Sequence, residues 1–409
     1  MFQLLILFAV FVLTAARRVG HIRLPMYAVM AGGGIAAILS CGISPINAVR
    51  AIDWTVILFL AGMFCAGRLL EISGWLSHIE YRIFRRAGTK KRLMFLFIIF
   101  MGVGAAMFMN DTIAVIGVPV ALLMAREQKI SPESICMALA FAVTVGSAAS
   151  PIGNPQNLLV AVKGGLSAPF LDFMRYLFLP TALNLIILCA AMRFFCPQDF
   201  SDDEVNLHDT VPEDHSAVVL ARITAAAVFV AMAAKALIAA FVPSADFSIL
   251  WIAAIAAAPG LLFSNHRREI ITGIDWRTLV FFMGMFILMQ SVWDTGIFQD
   301  ILAKSGINAA SVPSVAAISV ILSQLISNVP LTALYIPLLQ QAGAEPPSYM
   351  ALAACSTIAG NLFVLGAASN VIIFQSAERH GSQMSVWKFT KIGLPLTILN
   401  TLVYLAFLA

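Results

Sequence analysis

The sequence predicts an all-α polytopic membrane protein of two inverted-topology repeats, each with five crossings plus a re-entrant hairpin, and with two discontinuous helices. Three observations lead there. The 409 residues are 60% hydrophobic and 11% charged, with a mean hydropathy of +0.92, whereas a typical soluble chain carries about 25% charged residues. The apolar residues come in stretches of roughly 18 or more, the length that crosses about 30 Å of hydrocarbon; an outer-membrane barrel would show alternating segments of about ten. The two halves of the chain also repeat one another.

Simple spans are expected near 2–16, 25–42, 54–70 and 173–196, then 217–241, 246–263, 276–292 and 388–408. The opening "MFQLLILFAVFVLTAARR" carries its charges after the apolar run, the reverse of a secretory signal, and reads as a first span. Segments 133–165 and 347–377 are helices broken by polar and glycine-containing runs. Segments 93–125 and 312–341 are too long for one simple span and polar at the centre, so each reads as a hairpin entering and leaving on one side. With that assignment twenty of the 25 Lys and Arg fall on one side. Only Arg50, Lys163, Arg175 and Lys304 fall on the other, and Lys235 lies within a span. The positive-inside rule makes the rich side cytoplasmic, which puts both termini outside a bacterial-type inner (plasma) membrane.

The first repeat covers 1–196 and the second 217–409. Between them 197–216, "PQDFSDDEVNLHDTVPEDHS", is acidic and poor in apolar residues, the composition of a cytoplasmic linker. "IDWTVILFLAGMF" (52–64) matches "IDWRTLVFFMGMF" (274–286) at an offset of 222. "MALAFAVTVGSAASPIGNPQN" (137–157) aligns without gaps on "MALAACSTIAGNLFVLGAASN" (350–370), sharing Thr144/Thr357, Gly153/Gly366 and Asn157/Asn370. An odd number of crossings per copy turns the second copy upside-down. Inverted repeats with interrupted helices are a mark of secondary transporters.

Non-helical backbone at membrane depth is tolerated only where it is buried in protein or lines a cavity. Four such places stand at matching positions: "MNDT" (109–112), "SAASPIGNPQN" (147–157), "SNVP" (327–330) and "FVLGAASN" (363–370). The first and third suit hairpin tips; the second and fourth break the helix after each hairpin. A single break of this kind is readily a proline kink. Four at repeat-related positions, each with Asn or Ser, point to the walls of one polar site. Half-helices that meet there aim amides at an anion and carbonyls at a cation.

A carboxylate at this depth is costly and by default functional. Asp111 has three readings: a Na⁺ ligand, a proton carrier, or the cap of the second hairpin arm. Asn328 stands at the equivalent place in the second repeat. Lys235, about 10 Å from its helix end by the rise per residue, either snorkels to the interface or meets an anion. Asp53 and Asp275, each before a Trp, read as N-caps beside interfacial anchors. The six cysteines lie in or beside spans without a CxxC pair and read as small buried side chains. All six histidines fall in loops or at span ends and no HExxH is present, which argues against an intramembrane enzyme.

At these residues the chain resembles the ion transporter superfamily, most closely its arsenite permease and anion permease (citrate transporter-like) branches. The likeness covers nearly the whole chain. It is carried by the paired "IDW" segments, "NDT" (110–112), "SNVP" (327–330), "SPIGNPQN" (150–157) and "GAASN" (366–370). In dicarboxylate members, Ser-Asn-Thr tips bind the substrate carboxylates and help hold Na⁺. The resemblance therefore implies solute or ion roles for Asn110, Asp111, Thr112, Ser327 and Asn328, with Na⁺ near Asn110, Asp111 and Asn328. From the breaks it adds Ser150, Gly153, Asn154, Asn157, Gly366, Ser369 and Asn370. It also implies a homodimer and an elevator motion, in which a core carrying the hairpins slides against a scaffold. Asn-Asp-Thr replaces Ser-Asn-Thr at the first tip, and Val329-Pro330 removes the second threonine, which points away from a dicarboxylate.

The expected function is secondary active transport of a small anion or oxyanion coupled to Na⁺ or H⁺, with no other cofactor and no nucleic-acid partner; lipid is the surrounding medium. The alternative is proton-coupled arsenite efflux or Na⁺/H⁺ antiport with Asp111 as the titrating group. A passive channel fits paired occluding hairpins less well.

Overall fold

The computed structural model describes residues 2–16, 18–19, 22–23, 25–41, 44–75, 84, 86–205, 214–241, 248–297, 299–300 and 308–409. The expected cytoplasmic Arg17, Arg82 and Arg85, the expected external Lys304, and His21, His78 and His208 lie outside the described residues. The first half runs α1 (Phe2–Ala16), a two-residue antiparallel ladder (Arg18–Val19 with Ile22–Arg23), α2 (Met26–Cys41), α3 (Pro45–Ala51), α4 (Trp54–Ser73), α5 (Lys90–Phe108), α6 (Asn110–Gln128), α7 (Pro132–Ser147), α8 (Pro155–Lys163) and α9 (Pro169–Phe195). The second half runs α10 (His215–Phe241), α11 (Ile249–Ala258, continued by a π turn to Phe263), α12 (Arg267–Thr272), α13 (Trp276–Trp293), α14 (Val312–Ile326), α15 (Asn328–Gln341), α16 (Pro346–Ile358), α17 (Ala368–Arg379) and α18 (Val386–Leu408). Among the described residues six helical stretches are long and apolar enough to cross a membrane.

The helix starts follow from local chemistry. Asp53 Oδ1 accepts from the Val56 amide at 3.1 Å, and Asp275 Oδ1 from the Thr278 amide at 3.1 Å; both aspartates are the N-caps the sequence predicts. Asn154 caps α8, whose first residue is proline, a position where the missing N–H costs nothing.

Packing exchanges elements between the halves. α2 lies on α13, and reciprocally α11 lies on α4. Both crossings use small residues: a Cβ on Gly34 would fall 2.9 Å from the Gly284 carbonyl oxygen, and one on Gly62 2.7 Å from that of Ala253. Backbones approach this closely in membrane interiors only where side chains are small. Gly62 and Gly284 occupy the same place in the repeated "IDW" segments. α1, α2, α4, α10, α11 and α13 pack largely among themselves. The hairpin arms, the broken helices, α9 and α18 form a second body, in which α5 meets α7, α14 meets α16, α6 meets α17, α8 meets α15 and α9 meets α18. Contact between the bodies runs through α13–α15, α9–α10, α4–α8 and α4–α6.

The hairpins open to opposite faces. Lys90, at the start of α5, pairs with Asp203 at 2.9 Å, and the Ser131 amide, after α6, donates to Asp199 Oδ1 at 2.9 Å. Both ends of the first hairpin therefore meet the same short stretch, 199–203. In the second hairpin Ser348 Oγ donates to the Ala310 carbonyl at 2.6 Å, joining the loop before α14 to the start of α16. Gln340, at the end of α15, bonds the Lys163 carbonyl, and Lys163 lies at the far end of the α7–α8 crossing from Ser131. The linker is less solvated than its composition predicts. Asp199 and Phe200 are buried in a 3-10 turn, and Glu204 bridges to Thr89. Its residues 206–213 lie outside the described set.

Candidate functional site

Each hairpin reverses at a single residue in positive φ, Met109 at 69° and Ser327 at 67°. Such backbone is rare for residues with a Cβ and costs on the order of 1–3 kcal/mol where tertiary structure imposes it. The non-helical part of each tip is thus shorter than 109–112 or 327–330, because Asn110 and Asn328 already open α6 and α15. Their amides lie in a first helical turn, where donors have no partner within the helix. The Asn110 amide takes the Gly153 carbonyl at 2.8 Å, which joins the first tip to the first break.

The first break spans Ser147 to Pro155, as expected. The second begins four residues earlier than 363–370: α16 ends at Ile358, and 3-10 turns at Ala359–Asn361 and Val364–Gly366 lead to α17 at Ala368. The ungapped alignment already sets Gly360 opposite Ser147, so the earlier start is the repeat equivalent of the first break.

The residues shared by the repeats form a reciprocal lock. Asn157 Nδ2 donates to the carbonyls of Ser147, Ala148 and Ser150 at 3.1, 3.3 and 3.0 Å. Asn370 Nδ2 donates to the equivalent carbonyl, Gly360, at 2.7 Å. Across the halves, Thr357 Oγ1 lies 3.2 Å from Asn157 Oδ1, and Thr144 Oγ1 lies 3.4 Å from Asn370 Oδ1. Thr357 Oγ1 also accepts from Asn154 Nδ2 at 3.1 Å and Gln156 Nε2 at 3.2 Å. Glycine is required beside the lock: a Cβ on Gly153 would sit 2.1 Å from the Ser147 carbonyl oxygen, and one on Gly366 3.1 Å from the Gly360 Cα.

Among the other expected residues, Asn154 Oδ1 accepts from the Asn157 amide at 2.9 Å and its Nδ2 reaches Ser147 Oγ at 3.0 Å. Ser150 Oγ accepts from the Ile152 amide. Asn110 Nδ2 donates to Ser369 Oγ at 3.4 Å, joining the first tip to the second break, and its Oδ1 accepts from the Asp111 amide. Thr112 packs on α4, where a Cβ on Gly67 would meet its methyl at 2.7 Å. Asp111 is half-buried in the first turn of α6. No hydrogen bond or ion pair to the Asp111 carboxylate is present among the described residues, so any capping by it is limited to charge–dipole attraction in the first turn. Ser327 is half-buried.

The second tip leaves polar atoms unpaired. Asn328 Nδ2 lies 3.6 Å from where a Gly360 Cβ would be, but its Oδ1 has no partner among the described residues. The same holds for Gln324 Oε1 and for both side-chain atoms of buried Asn361, while Gln324 Nε2 donates to the Ala359 carbonyl at 2.8 Å. A buried polar group without a partner costs about 1–3 kcal/mol. Sequence reading missed Gln324, Thr357, Asn361 and Gln156 as site residues. The alignment carried a signal for Thr357, as one of the shared positions, and for Gln156, inside the quoted break.

All four breaks therefore meet in one buried centre, whose only charged member among the residues named is Asp111. Lys235 stands apart. Its Nζ lies 5.9 Å from the centroid of Phe170, at the start of α9. Lys163 joins the two bodies at one face, 3.5 Å from Asp53 and 4.9 Å from the centroid of Phe286. Cys65, Cys136, Cys189, Cys196 and Cys355 are buried free thiols. Among the described residues no three His, Cys, Asp or Glu side chains gather as a metal site.

Paired hairpins and broken helices meeting in a buried polar centre fit a membrane transporter. The chain belongs to the citrate transporter family, whose profile (CitMHS) matches residues 5–347, and with it to the ion transporter superfamily. It is 30% identical over 371 residues to the uncharacterized transporter Rv2684 of Mycobacterium tuberculosis, covering 85% of this chain and 84% of that one. It is 26% identical over 443 residues to the silicon efflux transporter LSI3 of Oryza sativa subsp. japonica, covering 90% and 89%. The crystal structure of the Alcanivorax borkumensis YdaH transporter shares the fold, with a TM-score of 0.60, 15% identity, and coverage of all of this chain and 96% of that one. The family and these relatives are transporters, not enzymes.

Proposed function

We propose that this chain is a secondary active transporter that moves a small anion or oxyanion, coupled to Na⁺ or H⁺, by elevator-type alternating access. The observation that carries the reading is the convergence of both tips and both breaks around polar atoms without a partner among the described residues: the side-chain oxygens of Gln324 and Asn328 and both amide atoms of Asn361. No lysine or arginine stands among the residues that meet there, and the one charge is acidic. An anion placed beside Asp111 in a low-dielectric interior is strongly repelled unless a cation or a proton accompanies it. Coupling is then a condition of binding. Na⁺ near Asn110, Asp111 and Asn328, or a proton on Asp111, supplies the balance, and the amides opening α15 face the solute, since those of Asn110 and Asp111 are already paired.

In this reading Asn110, Asp111, Thr112, Ser327 and Asn328 meet solute and ion. Ser150, Gly153, Asn154, Asn157, Gly366, Ser369 and Asn370 hold the broken segments open, since most of their polar atoms are already paired within the protein. The body containing α5–α9 and α14–α18 is the moving core, and the body built on α1, α2, α4, α10, α11 and α13 is the scaffold through which two copies form a homodimer. The repeats are 1–196 and 217–409, joined by the linker 197–216, in an inner (plasma) membrane with both termini outside.

A second reading, proton-coupled arsenite efflux or Na⁺/H⁺ antiport, is favoured by the unpartnered Asp111 carboxylate. Proteoliposomes separate the two. Uptake of citrate or another small oxyanion that follows an imposed Na⁺ gradient supports the first. Transport that ignores Na⁺, follows pH and disappears in Asp111→Asn supports the second. No transport of any tested anion, arsenite or Na⁺ under either gradient defeats both.

A further inference from the structure

The last helix of each repeat carries a short motif that the solute site does not use. "LPTALN" (179–184) in α9 and "LPLTILN" (394–400) in α18 each place Thr three residues before Asn, so both polar side chains lie on one helical face. α9 and α18 turn these faces toward each other. Thr181 Oγ1 is 2.7 Å from the Tyr404 hydroxyl, and Asn184 Nδ2 donates to the Asn400 carbonyl at 3.3 Å. Thr181, Asn184, Thr397, Asn400 and Tyr404 are all 2% exposed or less.

Polar side chains between spanning helices commonly act as interhelical glue, but glue pairs its groups. Here Asn184 Oδ1, Thr397 Oγ1 and both side-chain atoms of Asn400 have no partner among the described residues. The set combines two carbonyl acceptors, an amide donor and a hydroxyl that does both. A monovalent cation satisfies the oxygens and repels the Asn400 amino group; an anion does the reverse; an apolar occupant satisfies none. Water, both donor and acceptor, fits all four.

We propose that the α9–α18 seam is a water-binding site, in which a small cluster of ordered water completes the hydrogen bonds of Asn184, Thr397 and Asn400. The site is distinct from the solute centre. Its Thr397 and Asn400 lie about 6 and about 10 Å along α18, by the rise per residue, from Gly393, the residue that lets this helix approach the Asn361 carbonyl. Its water joins the final helices of the two repeats within one body, and water-mediated bonds hold nearly as well as direct ones.

X-ray radiolytic hydroxyl-radical labelling with mass-spectrometric readout tests this on the purified full chain. Radicals formed from bound water oxidise neighbouring side chains that bulk solvent does not reach. Tyr404 is expected to label several-fold faster than Tyr335, which is equally buried but has its hydroxyl on the Ala309 carbonyl at 2.7 Å. In the double variant Asn184→Leu/Asn400→Leu the Tyr404 rate should fall to that of Tyr335. Should the variant fail to fold, the wild-type comparison decides alone. Equal labelling of the two tyrosines in wild type overturns the proposal. So does Tyr404 labelling that Na⁺, but not choline, suppresses, because that places a cation in the seam.

Discussion

Replacing Asn157 by alanine tests the reciprocal lock most directly. The side chain is fully buried, donates to three loop carbonyls and faces the Thr357 hydroxyl. Each lost bond that strands a buried group costs about 1–3 kcal/mol. One amide cannot satisfy three carbonyls equally, and water can follow into part of the vacated space, so about 3–5 kcal/mol is the expected total. Asn370→Ala removes one carbonyl bond, to Gly360, and a longer contact to Thr144, so about 1–3 kcal/mol is expected. At about 2 °C per kcal/mol for a large chain, Asn157→Ala should lower the Tm by roughly 6–10 °C and Asn370→Ala by roughly 2–6 °C, about half as much. Asn157→Asp, which sets a carboxylate among carbonyls, should be worse than alanine. Tryptophan fluorescence during heating, in one detergent at one scan rate, provides the comparison. A shift within about 1 °C of wild type for Asn157→Ala, or an equal loss for both alanine variants, refutes the lock.

Three further outcomes follow from other parts of the molecule. At Gly146 a Cβ would lie 2.1 Å from the Gly102 carbonyl oxygen, so Gly146→Val should force α5 off α7, lower the stability by about 2–3 kcal/mol and abolish transport. Lys163→Gln removes the ion pair with Asp53 and the contact with Phe286 that join the two bodies. With Lys163 partly exposed the stability change should stay under about 1 kcal/mol, while initial transport rates change; an unchanged rate would show that the pair does not hold this arrangement. The third concerns pH. The Asp214 carboxyl is held well below the usual range by hydrogen bonds from Ser216 and then His266, and the His266 imidazole is pushed up chiefly by its bond to Asp214, with Glu269 adding to it. Arg68 reaches the same Glu269. A raised histidine contributes its stabilisation in full below its unfolded pKa and loses it as pH rises through the folded value; the lowered Asp214 loses its share only on acidification. The protection of the amides over 264–270, read as exchange corrected for its intrinsic pH dependence, should therefore fall as pH rises above about 6.5, and His266→Ala should remove that fall.

Much of this fold is legible in the chain because the bilayer leaves few options. Span lengths, hairpins and broken helices follow from the cost of unpaired backbone, and observed helix limits such as Met26–Cys41 and Val386–Leu408 fall close to the apolar runs. The caps Asp53 and Asp275 were equally readable, since a carboxylate before Trp has few other uses. What the chain conceals is pairing over distance. That Thr357 meets Asn157, or that Gln324 and Asn361 stand unpaired beside Asn328, depends on how the halves interlock, and no local pattern encodes it. The second break was placed too late because Ala359-Gly360-Asn361 continues an alanine-rich helical run and looks locally helical. Asp199 shows the opposite error. An acidic run reads as solvated, yet this carboxylate is buried on the Ser131 amide.

Symmetry then separates framework from function. Thr144 and Thr357, Gly153 and Gly366, and Asn157 and Asn370 are identical between the repeats; each Asn bonds carbonyls of its own break and faces the Thr of the other half, so both broken segments are held by the same device. The tips differ: the first offers an acid at Asp111 with its neighbours paired, the second neutral amides with atoms left over. Two copies of one scaffold thus present unlike halves to whatever enters between them. A carrier for an anion and a cation needs that inequality, since identical halves would offer both ligands the same field. Converting the second tip toward the first, by Asn328→Asp, tests the idea. It should add a repelling charge on the solute side and lower apparent anion affinity at least about tenfold, the effect of about 1.4 kcal/mol, while leaving the Thr144–Asn370 and Thr357–Asn157 pairs and the Tm within about 2 °C of wild type. Unchanged anion affinity in that variant would mean that the second tip does not face the solute.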